Sequence, residues 1–347
     1  PIKILYSRKI YSTMIKKYLT TNPIQWLLEN NDPIIRYLTL RDIVQKDYDR
    51  EYNIIFQSKQ IQTLLKSGTS GIMGNKNNYD IYYKGSMWYF AESIEMGMDK
   101  RTEQVDKTAQ YITETSQLES GGFTLNWKPK VEAACRTGDM VKYLILAGYN
   151  DDRVEKGIHW ILEHQRHDGG WLHCPLGSTC DIIKLMLFNK SGSGLKRESN
   201  TCINSCFYAT IACSMALVHY ENKHDEALKK AANFFLKRSL YLNSKNEPIK
   251  PKRFWNSDFR LLGYPVLNQY DILYGMNFIS EAGYFKDSRT VDAFNLIMSK
   301  QNPDGSWNLE NAQTGMLYGN DRKAPIGIKN KWVTLSVMRM LKNTERT

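Results

Sequence analysis

Tyr270-Asp271 and Asp139 stand near the heads of strongly apolar stretches. A carboxyl group leaving water there has its pKa raised toward the range of a general acid. The same acids are good helix N-caps, because a carboxylate accepts the free N–H groups of a first turn. Proton transfer and capping are both open at these positions. Tyr82, Trp88, Tyr274 and Trp332 lie in the aromatic-rich neighbourhood of such heads. Ring faces there would stabilise a cation or cover an apolar chain, or simply fill the core. Arg136 and Arg260, with Lys84 and Lys331, fall close to the same starts. They would receive a diphosphate or carboxylate through charge-assisted hydrogen bonds, or stay as solvated rim charge.

Six cysteines sit at 135, 174, 180, 202, 206 and 213. Cys174, Cys180, Cys202 and Cys206, with Cys135 brought near by the fold, would suit zinc or iron, since thiolates are soft ligands. Cys202 and Cys206 are four apart and share a face if helical. Packing and a reactive thiol are the competing readings, and Cys213, inside an apolar segment, reads as core.

These residues need elements to hold them, and the chain shows its elements by repetition. Gln117-Leu-Glu-Ser-Gly-Gly-Phe123, Gln165-Arg-His-Asp-Gly-Gly-Trp171 and Gln301-Asn-Pro-Asp-Gly-Ser-Trp307 each place a ring six positions after a glutamine. The glutamines are 48 and then 136 apart, twice 68, which predicts a degenerate copy near Leu236 to Trp255. Repetition at this period marks stacked supersecondary units. The paired glycines predict a tight reversal, with positive φ at Gly170.

Between the turns, half-apolar helical stripes such as Val154, Ile158, Ile161 and Leu162 alternate with segments apolar nearly all round. Six of the latter are predicted as inner helices: Ile34–Val44, Ser86–Met96, Thr137–Ala147, Asn204–Val218, Asp271–Glu281 and Trp332–Leu341. A helix apolar on every side must be covered on every side. The expectation is an all-α chain in which six inner helices are wrapped by amphipathic outer ones. Three inner-to-outer turns also look alike, with Gly97, Gly148 and Gly283 as left-handed C-caps and an aspartate capping the next helix.

The Gln-x5-aromatic turns before apolar helices resemble those of the squalene-cyclase and protein-prenyltransferase β-subunit superfamily. Asn31-Asp-Pro-Ile-Ile-Arg36, Cys135-Arg-Thr-Gly138, Tyr270-Asp-Ile-Leu273 and Lys331-Trp-Val-Thr-Leu335 add to the likeness. That resemblance implies an (α/α)6 toroid over residues 1–347, with a central cavity for an apolar, isoprenoid-like substrate and acid-base or metal-assisted chemistry. In it Asp271, Tyr270 and Asp139 would be catalytic, and Trp88, Tyr82, Arg136, Arg260, Tyr274 and Trp332 would bind substrate. The chain departs from the family's patterns in two places. No Asp-x-Asp-Asp occurs, and Cys135-Arg136-Thr137-Gly138 stands in the comparable position. Asn204-Ser205-Cys206-Phe207 resembles one zinc-binding piece of prenyltransferases, with Asn in place of the ligand Asp, and Gln269-Tyr270-Asp271 offers no histidine. A non-catalytic binding or scaffold protein is the alternative.

Charge and composition narrow the partners. A net charge of +11 spread over 83 charged residues favours anionic small molecules or acidic membrane surfaces, and no nucleic-acid motif is present. Residues 1–22 form a basic lead that either touches a membrane peripherally or packs across the fold's edge. Residues 172–200 read as an inserted loop. With no secretory signal or apolar run long enough to span a bilayer, the expected compartment is the cytoplasm.

Overall fold

The computed structural model describes residues 17–46, 48–79, 84–125, 130–172, 205–243, 245–250, 258–266, 269–312 and 325–344. Its elements in chain order are α1 (Ile24–Leu27), α2 (Pro33–Thr39, continued as a π turn over Leu40–Val44), α3 (Asp49–Ile55), α4 (Lys59–Leu65), α5 (Ser86–Glu95) and α6 (Glu103–Ser116). A ribbon of β1 (Thr124–Leu125) and β2 (Val131–Glu132) precedes α7 (Ala134–Leu146), α8 (Asp152–Glu163), α9 (Phe207–His219) and α10 (Asp225–Leu236). Then come β3 (Gly263–Tyr264), α11 (Ile272–Glu281), α12 (Val291–Met298), β4 (Asn311–Ala312) and α13 (Lys331–Thr344). Among the described residues helix predominates and each strand is two residues long, as the periodicity predicts. A helix is present at each of the six segments expected to be inner; the expected inserted loop lies outside the described residues from position 173 on. The chain divides into two compact units, one of Pro1–Thr63 with Phe235–Thr347 and one of Leu64–Phe234.

In the second unit α5, α7 and α9 are buried along almost their whole length, including Ala134–Leu144 and Ala209–Val218. α7 and α9 approach so closely at Gly138 that a Cβ there would stand 2.4 Å from Ala212 C and Cys213 N. α6 and α8 bury one stripe each, Val105, Ala109 and Ile112 on the first and Val154, Ile158 and Ile161 on the second. In the first unit α11 packs on α13, and α13 on α2 and its π turn. There Asp42 is gripped by Arg41 and Arg339, each at 2.5 Å. Burial alone would raise the pKa of Asp42, but the two guanidinium groups hold it at about 2.

The three aromatic turns share one bonding scheme. Gln165 Nε2 donates to Gly169 O (3.1 Å) and to Ala227 O of α10 (2.9 Å). Trp171 N donates to Thr210 Oγ1 of α9 (3.1 Å), Cys206 N donates to Trp171 O (2.8 Å), and the indole Nε1 reaches Ile161 O (2.8 Å). The first turn repeats this with Gln117 on Gly121 O and Arg153 O, and Phe123 N on Thr137 Oγ1. The third repeats it with Trp307 N on Thr334 Oγ1 and Trp307 Nε1 on Ile297 O. Its glutamine differs: Gln301 Oε1 accepts from Thr20 N (3.1 Å) and Thr20 Oγ1 (2.5 Å). The segment before α1 therefore takes the place that α8 and α10 take beside the other two turns.

Positive φ falls on the first glycine of the pair, Gly169 at 89°, and not on Gly170. Gly170 is instead required by crowding, since a Cβ there would lie 2.5 Å from Ser205 Cβ and 2.6 Å from Thr210 Oγ1. Near the expected degenerate copy, Ser239 and Leu240 take φ of 44° and 67°, and Phe259 O accepts from Ile272 N at the head of α11 (2.8 Å). Gly97, Gly148 and Gly283 are left-handed, as the inner-to-outer turns predict. Asp151 caps α8 through Arg153 N, and Asp287 caps the short 3₁₀ turn before α12 through Arg289 N.

Candidate active site

Asp271 is the N-cap of α11, and its surroundings grow out of local sequence. Oδ1 accepts from Tyr274 N (2.7 Å) and Oδ2 from Gly263 N of β3 (2.8 Å). Burial raises the carboxyl pKa to about 6, against the lowering effect of those backbone N–H groups and of the Lys300 charge. Capping and an elevated pKa thus coexist in one group. Tyr270 is fixed for packing: its hydroxyl donates to Leu240 O (2.7 Å), its ring stacks on Phe235, and Gly275 leaves the space it fills. Burial also pushes the Tyr270 phenol up.

Around Asp271 the structure assembles residues the sequence singles out, Trp332 and Arg260, with groups it does not, Lys300, Glu310 and Asn311. Tyr264, next to Gly263, stacks on Trp332 at 4.6 Å between centroids. Lys300 Nζ bonds Glu310 Oε2 and Arg260 O, both at 2.5 Å, while Glu310 Oε2 also accepts from Leu262 N (2.8 Å). Asn311 Nδ2 donates to Gln269 Oε1 (3.3 Å). Arg260 itself clasps Asp258 at 2.6 Å across two residues. The same Asp-x-Arg clasp recurs at Asp99–Arg101, Asp151–Arg153 and Asp287–Arg289, so Arg260 belongs to a repeated turn device.

Asp139, Arg136, Trp88 and Cys135 belong to the other unit. Arg136, 1% exposed, lies 4.7 Å from the Tyr79 ring centroid and 4.8 Å from that of Trp88, with Asp139 Oδ2 at 3.5 Å. One turn on, Lys142 Nζ sits 3.9 Å over the Tyr143 ring and 4.0 Å from Glu95 Oε1, and Tyr143 Oη donates to that oxygen (2.9 Å). Glu92 is buried on α5. The charges at 136, 139 and 142 on α7 and at 92 and 95 on α5 recur at helical spacing on nearly apolar segments. That pattern is visible in the sequence; only its partners required the fold.

Cys135 and Cys213 are buried, and Cys213 Sγ donates to Ala134 O (3.3 Å). Burial pushes the Cys213 thiol up, which suits a packed side chain. Cys206 is the N-cap of α9. Among the described residues no three His, Cys, Asp or Glu side chains converge on a metal-sized point. Cys174, Cys180, Cys202 and Tyr82 lie outside the described residues.

No family model matches the chain, and no curated protein matches it. Among solved structures it is similar to a protein from Actinoplanes (14% identity, 91% of this chain and 90% of that one, TM-score 0.45). It is also similar to the type II terpene cyclase MstE from Scytonema. A variant of MstE holding merosterolic acid A, its product, aligns at 10% identity over 99% of both chains with a TM-score of 0.47. Another, with the substrate geranylgeranyl dihydroxybenzoate, aligns at 11% identity over 99% of both chains with a TM-score of 0.45.

Proposed function

We propose that the chain binds an apolar, isoprenoid-like substrate and performs acid–base chemistry on it, with Asp271 as the proton-transfer group and its helices closing as an (α/α)6 toroid. The observation that supports this is the Asp271 carboxyl itself, buried and with its pKa raised to about 6. At neutral pH such a group is protonated about one time in ten and gives or takes a proton without a large penalty. The Gln-x5-aromatic turns support the substrate class through their resemblance to polyprenyl-handling proteins. Asp139, 3.5 Å from the Arg136 guanidinium in the other unit, is proposed separately as a second candidate carboxylate. A metal on Cys174, Cys180, Cys202 and Cys206 with Cys135 is a separate proposal, checked by elemental analysis, and no step is routed through it.

Incubating the protein with isoprenoid alcohols and diphosphates and analysing the extracts tests the assignment. Asp271→Asn keeps the acceptor for Tyr274 N but sets an amide NH2 against Gly263 N, so it should fold with a loss of about 1–3 kcal/mol and should abolish product. Full activity in the Asn variant overturns the role of Asp271. One observation favours the non-catalytic alternative, namely that both Asp271 oxygens already accept backbone N–H groups. On that reading no substrate is turned over, and Asp271→Ala does no more than lower stability.

A further inference from the structure

The first unit carries an apolar tip that the proposed chemistry does not use. Ile326 and Ile328 are 63% and 52% exposed. Between them Gly327 takes φ of 87°, and among the described residues no atom beyond its two chain neighbours lies within 4 Å of the place its Cβ would occupy. The base of this turn is pinned: Gly327 N donates to Leu309 O (2.7 Å), Leu309 N to Ile328 O (2.9 Å) and Asn330 N to Trp307 O (2.9 Å). Two branched aliphatic side chains are therefore held out in water by an anchored backbone.

Next to the tip, Lys329 Nζ sits 4.9 Å and Lys331 Nζ 5.6 Å from the half-buried Trp26 ring. Their charges are balanced locally, Lys329 by Asp304 (2.9 Å) and Lys331 by Glu29 (3.1 Å). Exposed aliphatic groups with an indole and lysines next to them match the composition of a bilayer-surface contact. There apolar chains lie innermost, and Trp and Lys sit at the headgroup level.

We propose that this tip, Ile326 and Ile328 backed by Trp26, Lys329 and Lys331, docks the protein on a lipid bilayer. A bilayer is favoured over a protein partner, because Gly327 N and Ile328 O are already engaged within the turn and leave chiefly aliphatic surface to recognise. The net charge of +11 draws the chain toward an anionic leaflet, and the isoleucines then enter it. No described helix is long and apolar enough to cross a membrane, so the contact is peripheral. This inference does not depend on the role of Asp271.

Co-sedimentation of the full chain with vesicles of phosphatidylcholine containing about 30% phosphatidylserine tests it. The protein should pellet with the vesicles, and Ile326→Ser/Ile328→Ser should reduce partitioning about tenfold with an unchanged melting temperature, since both side chains are already in water. In Ile326→Trp, the added emission should shift to the blue with vesicles and be quenched by lipids brominated on the acyl chain. Wild-type protein that stays in the supernatant overturns the proposal. So does a serine double variant that partitions like wild type, which would assign the binding to the basic lead.

Discussion

Asp271 sets two opposing effects against each other in one carboxyl group. Backbone N–H groups from Tyr274 and Gly263 favour the anion, burial favours the acid, and burial wins. The consequence for stability has a definite sign. Because the folded pKa, about 6, exceeds the ordinary 3.8, the group stabilises the fold fully below pH 3.8 and loses that contribution as pH rises through 6. The gap corresponds to about 3 kcal/mol. Urea unfolding at pH 8, 6.5 and 5 should show wild type gaining stability toward pH 5 relative to Asp271→Asn, whose cap does not titrate. Parallel curves for the two proteins would show that Asp271 is ionised throughout. Gly263→Ala offers a second test, since its Cβ would meet Asp271 Oδ2 and Asn311 O at an ordinary 3.4 Å. It should fold within about 1 kcal/mol of wild type while covering Oδ2, and product formation should fall if that oxygen handles the proton.

At the scale of elements, each aromatic turn is tied to the following buried helix through a threonine and, in the first two copies, to the next half-buried helix through a glutamine. Gln165→Leu removes two hydrogen bonds and takes the side-chain donor from Gly169 O and from Ala227 O, a change worth about 2 kcal/mol. Thermal unfolding should register it as a lower Tm, and an unchanged Tm would show the glutamine to be dispensable. Gly138→Ala should cost more, about 3 kcal/mol or above, because its methyl meets backbone at 2.4 Å and α7 and α9 must separate. The glutamine, glycine and ring are legible because their spacing repeats. The threonines at 137, 210 and 334 carry no such mark. Each lies four residues after the position whose N–H caps the ring's carbonyl, but the distance from the ring differs in every copy: 14 residues from Phe123 to Thr137, 39 from Trp171 to Thr210 and 27 from Trp307 to Thr334.

At the scale of the whole molecule, the segment before α1 is a working part of the first unit. Thr20 bonds Gln301, Thr21 Oγ1 donates to Pro303 O (2.7 Å), and Tyr18 meets Phe294 edge-on at 5.3 Å. Removing residues 1–22 should therefore lower the unfolding free energy by about 2–4 kcal/mol, measured by urea titration, through the loss of these bonds and of the ring contact. A truncated protein as stable as the full chain would make the segment a dispensable lead.

By itself the sequence determined the helices, their wholly or half-buried character and the glycine caps, because these depend on periodicity and backbone freedom within one or two turns of chain. It also marked Asp271 as a carboxylate at a helix head. Only the tertiary structure decided what that carboxylate meets. Gly263 reaches it from eight residues away, the stacked pair of Tyr264 and Trp332 is 68 residues apart, and the cage of Arg136 is built from Tyr79 and Trp88 of another segment. Such pairings are fixed by how helices cross, and the one-dimensional pattern carries no term for a crossing. The same reason explains why positive φ falls on Gly169 and not on Gly170: a pair of glycines announces a tight turn, but which of the two needs positive φ and which needs bare space depends on the neighbours that pack against them.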